Sequence, residues 1–167
     1  PDLAIRGNME LELVQKFKDI FTGLERAHGV FEKKNEPQEG VKVEAHMKTV
    51  HEPPSIEKFQ LHLNGDYPAM GIVPINDDDQ CKFGAIDIDV YPLDHKVLLK
   101  KIKQKKFPLI MCLSKSGGAH LYLFTKQYVS AKDMQMRQGK VSVLTELTHN
   151  LESVRTVAGG NFLKNRW

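Results

Sequence analysis

Cysteine is scarce: Cys81 and Cys112 are the two in 167 residues. Both sit in or beside strand-like runs, which predicts buried thiols rather than a disulfide framework. No stretch approaches the roughly 20 apolar residues that cross a membrane as a helix. The N-terminus lacks the charged, apolar, small-residue order of a secretory signal. These absences exclude a disulfide-stapled scaffold and a helical membrane protein. The expected location is the cytoplasm, with no membrane partner, and Pro1 reads as the start of a processed or trimmed chain. No internal repeat is visible. Excess charge is small as well, a formal net +3.

What is present is ordinary for a soluble globule: 41% apolar and 27% charged residues. A single domain of this length buries roughly 68–70% of its extended surface, so its core needs no staple. Within 8–27, Val14, Phe17, Phe21 and Leu24 recur at steps of three and four, which predicts a helix ended by Gly23. Residues 32–40 read as a loop, 41–47 as a weak strand and 51–55 as a turn. Ser55 is placed to cap a helix with Ile56, Phe59 and Leu63 on one side. A short strand at 69–75 and an acidic turn at 76–80 follow.

The second half is more regular. A strand over 82–91 leads to a lysine-rich helix starting near Asp94, with Val97, Leu98 and Ile102 toward the core. Strands are expected at 107–114 and 119–126, joined by a Gly-Gly turn. A helix over 131–147, interrupted at Gly139, precedes a final strand and glycine turn. The order strand, helix, strand, turn, strand implies a crossover pair with an antiparallel neighbour. The predicted class is therefore α+β: a mixed or largely antiparallel sheet with packed helices. One domain over 1–167 is expected, with 1–80 an N-terminal α/β portion and 81–167 the portion that carries the two motifs described next.

The stretch KFGAIDIDVY sets Asp87 and Asp89 in an apolar run. Alternation along a strand turns both to one side, about 7 Å apart. Carboxylates so close repel, and a hard divalent cation, Mg2+ or Mn2+, removes the penalty. Two ordinary surface aspartates are the alternative. About 25 residues on, LSKSGGAHLYLF carries Ser114, Lys115 and Ser116 into Gly117 and Gly118, with His120 on the returning strand. Turn N–H groups, serine, lysine and histidine are donors for a phosphate. A plain hairpin with a packed histidine is the alternative. The nucleotide-loop spacing Gly-x-x-x-x-Gly-Lys-Ser/Thr is absent. Together, carboxylates for metal and a turn for a triphosphate are what nucleotidyl transfer needs. Lys96, Lys100, Lys103 and Lys105 form either a solvated helix face or a contact with a phosphate backbone.

These motifs resemble the archaeo-eukaryotic primase superfamily, most closely the primase-polymerase domains of phages, plasmids and mobile or conflict-associated elements. Asp87-Ile88-Asp89 is similar to the family's aspartate pair. Ser114, Ser116 and His120 are similar to its serine–histidine motif. FTGLERAHG at 21–29, FQLHLNG at 59–65 and MGIVPI at 70–75 also look like that group, so the likeness runs through about 15–126. The resemblance implies an elaborated fold like that of RNA-recognition motifs. It implies DNA primase or polymerase activity with two divalent metals, nucleoside triphosphates as substrate, and a single-stranded or primer–template DNA partner. A helicase domain or partner is a further expectation, and the chain reads as a catalytic core truncated at the C-terminus. In the resemblance, Asp87, Asp89 and a later acid hold metal. Glu152 is the expected third acid and Glu146 its alternative, although the family's Phe-Pro-Lys-Gln sequence is missing. Lys115, Ser116, Gly117, Gly118 and His120 would grip the triphosphate. The competing readings are a metal-dependent nuclease or phosphotransferase and a non-catalytic nucleic-acid-binding module.

Overall fold

Ile86 and Ile88 alternate with Ala85 and Asp87, and this two-residue period settles which side of the strand is buried. In the computed structural model, which describes residues 11–33, 45–114, 117–145 and 154–156, that strand is β4 (Gln80–Ile88). The chain divides into two units, Pro1–Asn76 and Asp77–Trp167.

In the first unit, helix α1 (Leu11–Ile20) and helix α2 (Ile56–Asn64) accompany a sheet of β1 (His28–Lys33), β2 (Ala45–Val50) and β3 (Ala69–Gly71). Its order is β2-β1-β3, with both pairings antiparallel. Val14, Phe59 and Met70 form the core, flanked by Phe17, Ile56, Leu63 and Ile72. The predicted α2 side is the buried one. α1 stops at Ile20, so Phe21 and Leu24 lie beyond it. Strand β1 was not legible in the sequence, because its short run HGVFEK is held by the distant β2 and β3.

His28 in β1 is fully buried, yet satisfied. Its Nδ1 lies 2.9 Å from the Glu52 carbonyl, and its Nε2 lies 3.1 Å from Lys58 Nζ. An ammonium only donates, so Nε2 accepts and Nδ1 carries the proton. Lys58 also pairs with the Glu52 side chain, and that hydrogen bond holds the carboxyl below its usual range.

The second unit adds helix α3 (His95–Gln104), β5 (Leu109–Leu113), β6 (Ala119–Ser130), helix α4 (Ala131–Thr145) and β7 (Val154–Thr156). The sheet order is β5-β6-β4-β7, and every neighbouring pair is antiparallel. Because β6 opposes both β4 and β5, those two strands run in the same direction with β6 between them. This is a split β-α-β unit, the topology of RNA-recognition folds. The expected crossover pair exists, but its strands are not neighbours; of the mixed and antiparallel alternatives, the sheet is antiparallel.

One face of this sheet is covered by helices. Ile86, Ile88, Ala119 and Leu121 pack on Leu98 and Ile102 of α3, and Cys81 and Leu123 pack on Met134 of α4. Each large aliphatic buried there contributes about 1.5–3 kcal/mol. Val97 is 49% exposed, against expectation. Leu98 and Ile102 are one turn apart and define a narrow buried arc, and Val97 lies about 100° from it. α4 runs unbroken through Gly139 to Thr145. It crosses so close to β4 that a Cβ on Gly84 would sit 2.4 Å from Gln138 Nε2. Of the two thiols, Cys81 is buried as expected and Cys112 is exposed, because edge strand β5 turns Cys112 away from the helices. Among the described residues, no helix is long and apolar enough to cross a membrane.

Candidate active site

Every described candidate residue lies in the unit Asp77–Trp167. β4 and β6 are the central strands, and their register sets Asp87 directly opposite His120. The row continues to Cys112 on β5 and to the backbone position of Arg155 on β7. Asp87, His120 and Cys112 face away from the α3 core, since the alternate residues Ile86, Ile88 and Leu121 fill it. Asp87 Oδ1 lies 3.3 Å from His120 Nε2, with the side chains 27% and 40% exposed. That is an electrostatic contact, long for a charge-assisted hydrogen bond.

An aromatic series runs along β6 from this pair. His120 meets Tyr122 edge-on at 6.3 Å between ring centroids, and Tyr122 stacks on Phe124 at 6.0 Å. Phe83, opposite Phe124 on β4, stands 6.1 Å from it. Burial pushes the Tyr122 phenol up, and the nearby Cys112 and Asp87 charges push it further. Tyr122 is therefore neutral at physiological pH.

The strand expected over 82–91 ends at Ile88, so Asp89 stands just beyond it, exposed. The reason lies in the pairing of distant strands: Ile88 pairs with Ala119, the first residue of β6, so the β4–β6 ladder ends there. Asp89 Oδ1 accepts a hydrogen bond from the Tyr91 hydroxyl at 3.1 Å. The chain then turns into α3, capped by Asp94, whose side chain accepts from the Val97 N–H at 3.0 Å.

Gly118 presses against the end of β4. Ser114 N donates to the Gly118 carbonyl and Gly117 N to the Ser114 carbonyl, each at 3.1 Å. Gly117 has φ +90°, a conformation that favours glycine. Gly118 is required for another reason: a Cβ there would lie 2.3 Å from the Ile88 carbonyl oxygen. His95, at the start of α3, donates from Nε2 to the Gly118 carbonyl at 3.1 Å. Thus β4, the turn and α3 converge one residue from Asp89 and two from His120.

Lys115, Ser116, Glu146 and Glu152 lie outside the described residues. Lys96, Lys100, Lys103 and Lys105 are all exposed. The first three sit at steps of four and three, on the side of α3 opposite Leu98 and Ile102. The motifs did not single out His95, and only the neighbouring cap residue hinted at it. Tyr122 and Phe124 were legible, because alternation along the strand sets them on the same face as His120.

Asp87 and Asp89 supply hard oxygen donors, the type that suits a divalent cation. Asp87 is half-buried beside His120 and Asp89 is exposed at the strand end, so the donors fit such an ion in kind. They are a partial set. Among the described residues no group of three or more His, Cys, Asp or Glu is placed to hold a metal.

Residues 15–156 match the family model described as TOTE conflict system, Archaeo-Eukaryotic Primase domain. No curated protein matches the chain.

Proposed function

Because this chain belongs to the archaeo-eukaryotic primase domain family of TOTE conflict systems, in a superfamily that performs nucleotidyl transfer, we propose that it extends or starts a DNA strand from nucleoside triphosphates on a template. The observation that carries this reading is the Asp87–His120 pair, 3.3 Å apart on adjacent central strands and next to the Gly117–Gly118 turn. On this reading, a carboxylate that would bind the cation and a histidine that would donate a hydrogen bond to phosphate are neighbours.

In the reaction, the 3′-hydroxyl oxygen bonds to the α-phosphorus. The bond from that phosphorus to the bridging oxygen breaks, pyrophosphate leaves, and the hydroxyl proton passes to water. Asp87 and Asp89 would hold Mg2+ or Mn2+, which when bound acidifies the attacking hydroxyl and offsets charge on pyrophosphate. Glu152, or Glu146 in its place, is the proposed third acid. His120 orients the triphosphate as a hydrogen-bond donor. With its ring charged, both nitrogens donate, one toward Asp87 and one toward a phosphate oxygen. The outward Lys96, Lys100 and Lys103 would meet the template backbone, and Lys105, exposed at the end of α3, is a further candidate.

A second reading has its own support. The sheet has the topology of RNA-recognition folds and carries the half-buried Tyr122 and Phe124 on its central strand β6, where such folds stack bases. On that reading the chain binds nucleic acid without chemistry. Labelled triphosphates, offered with template, with and without primer and with and without metal, separate the cases. Metal-dependent incorporation supports the transferase. Strand shortening indicates a nuclease, and binding without turnover indicates the module.

A further inference from the structure

We infer that His95 is a positioning residue, which fixes the turn that receives the triphosphate relative to the metal-binding carboxylates. This rests on the transferase reading above.

His95 is the first residue of α3 and half-buried. Helix capping does not require it, because Asp94 already accepts from the Val97 N–H. Its Nε2 instead reaches across to the Gly118 carbonyl, 3.1 Å away and 23 residues on. A carbonyl only accepts, so Nε2 carries the proton. The same carbonyl accepts from Ser114 N at 3.1 Å, and the two donors together use both of its lone pairs.

Gly118 is therefore held from three sides. The hairpin closes on it, α3 ties it through His95, and its bare α-carbon rests on the Ile88 carbonyl. The next residue, Ala119, pairs with Ile88, and the one after it, His120, faces Asp87. Freedom gained at Gly118 passes directly into the Asp87–His120 separation and into the gap between the turn and Asp89. His95 itself touches none of the reacting atoms in this scheme. Its effect is on geometry, and the ligand that feels it is a nucleoside triphosphate.

The side chains that can replace it make the test specific. A glutamine amide nitrogen reaches about as far as histidine Nε2, whereas an asparagine nitrogen stops near the Nδ1 position. His95→Ala and His95→Asn should raise KM for the triphosphate roughly 10-fold, the scale seen when a group supporting a ligand is lost. His95→Gln should restore it. Nitrogen NMR of the protein without nucleotide should show His95 with its proton on Nε2. The Gly118 and His120 amide signals should move in His95→Ala and return in His95→Gln.

Equal KM in the parent and all three variants overturns the inference, as does a proton on Nδ1 in the parent. Thermal melts alongside separate a loss of fold from a loss of position. A general loss of stability that glutamine does not rescue, with KM raised equally in all three, also counts against it. Incorporation by the parent is the control for the reading beneath: if it incorporates no nucleotide with template, primer and metal present, the transferase assignment falls. The NMR result then still decides whether His95 holds the turn.

Discussion

Gly117 and Gly118 are adjacent, yet the structure requires glycine at each for a different reason, and substitution separates the two. At Gly118 a built Cβ lies 2.3 Å from the Ile88 carbonyl oxygen and 3.2 Å from Ser114 Oγ. The hydroxyl can rotate away, but the carbonyl is backbone in a central strand. Ordinary contact begins near 3.4 Å, so Gly118→Ala must move the turn by about 1 Å. Overpacking of this kind costs about 1–3 kcal/mol. A displacement of about 1 Å at a reacting geometry costs about 10²-fold in rate. At Gly117 nothing among the described residues lies within 4 Å, and the obstacle there is φ +90°. Gly117→Asn, which tolerates positive φ best, should therefore stay within about 1–2 kcal/mol of the parent and keep most activity. Gly118→Asn should lose both stability and incorporation. Chemical denaturation gives the first quantity and primer extension the second. A Gly118→Ala protein as stable and active as the parent would refute the packing argument. Equal damage at both positions would refute the distinction between them.

Three further outcomes are expected. Asp87→Ala or Asp89→Ala should abolish incorporation; Asp89 is exposed, so its loss should change stability by no more than about 0.5 kcal/mol. Full activity of either variant at saturating Mg2+ or Mn2+ removes that residue from catalysis. His120→Ala should weaken triphosphate binding by about 1.5–3 kcal/mol, the worth of a hydrogen bond to a charged group, in calorimetry with a non-hydrolysable analogue. Unchanged nucleotide affinity with reduced DNA affinity would contradict the assignment. Replacing Lys96 and Lys100 with alanine should flatten the salt dependence of template binding by roughly 0.7–0.9 in log–log slope for each phosphate that is no longer neutralised. A titration matching the parent in slope and affinity would make α3 an ordinary solvated helix.

Features that depend on near neighbours were legible in the residues alone. Two-residue alternation in Ala85–Ile88 identified the strand and its buried side. Asp94 marked the start of α3, and the Gly-Gly turn marked the hairpin. The order of elements in the second unit followed from these. So did the motifs that resemble the primase family, since Asp87-Ile88-Asp89 and Ser114 to His120 are contiguous.

Features that rest on partners far along the chain emerged with the folded arrangement. β1 exists because β2 and β3 pair with it, and its own residues carry too weak a pattern. β4 ends at Ile88 because β6 begins at Ala119, which moves Asp89 out of the strand. The insertion of β6 between β4 and β5 brings Asp87 and His120, 33 residues apart, to 3.3 Å. The bond from His95 to Gly118 has the same origin. A local pattern sets which face a residue points to, because that follows from backbone geometry. Which residue it meets there depends on register between strands, and register is a property of the assembled sheet.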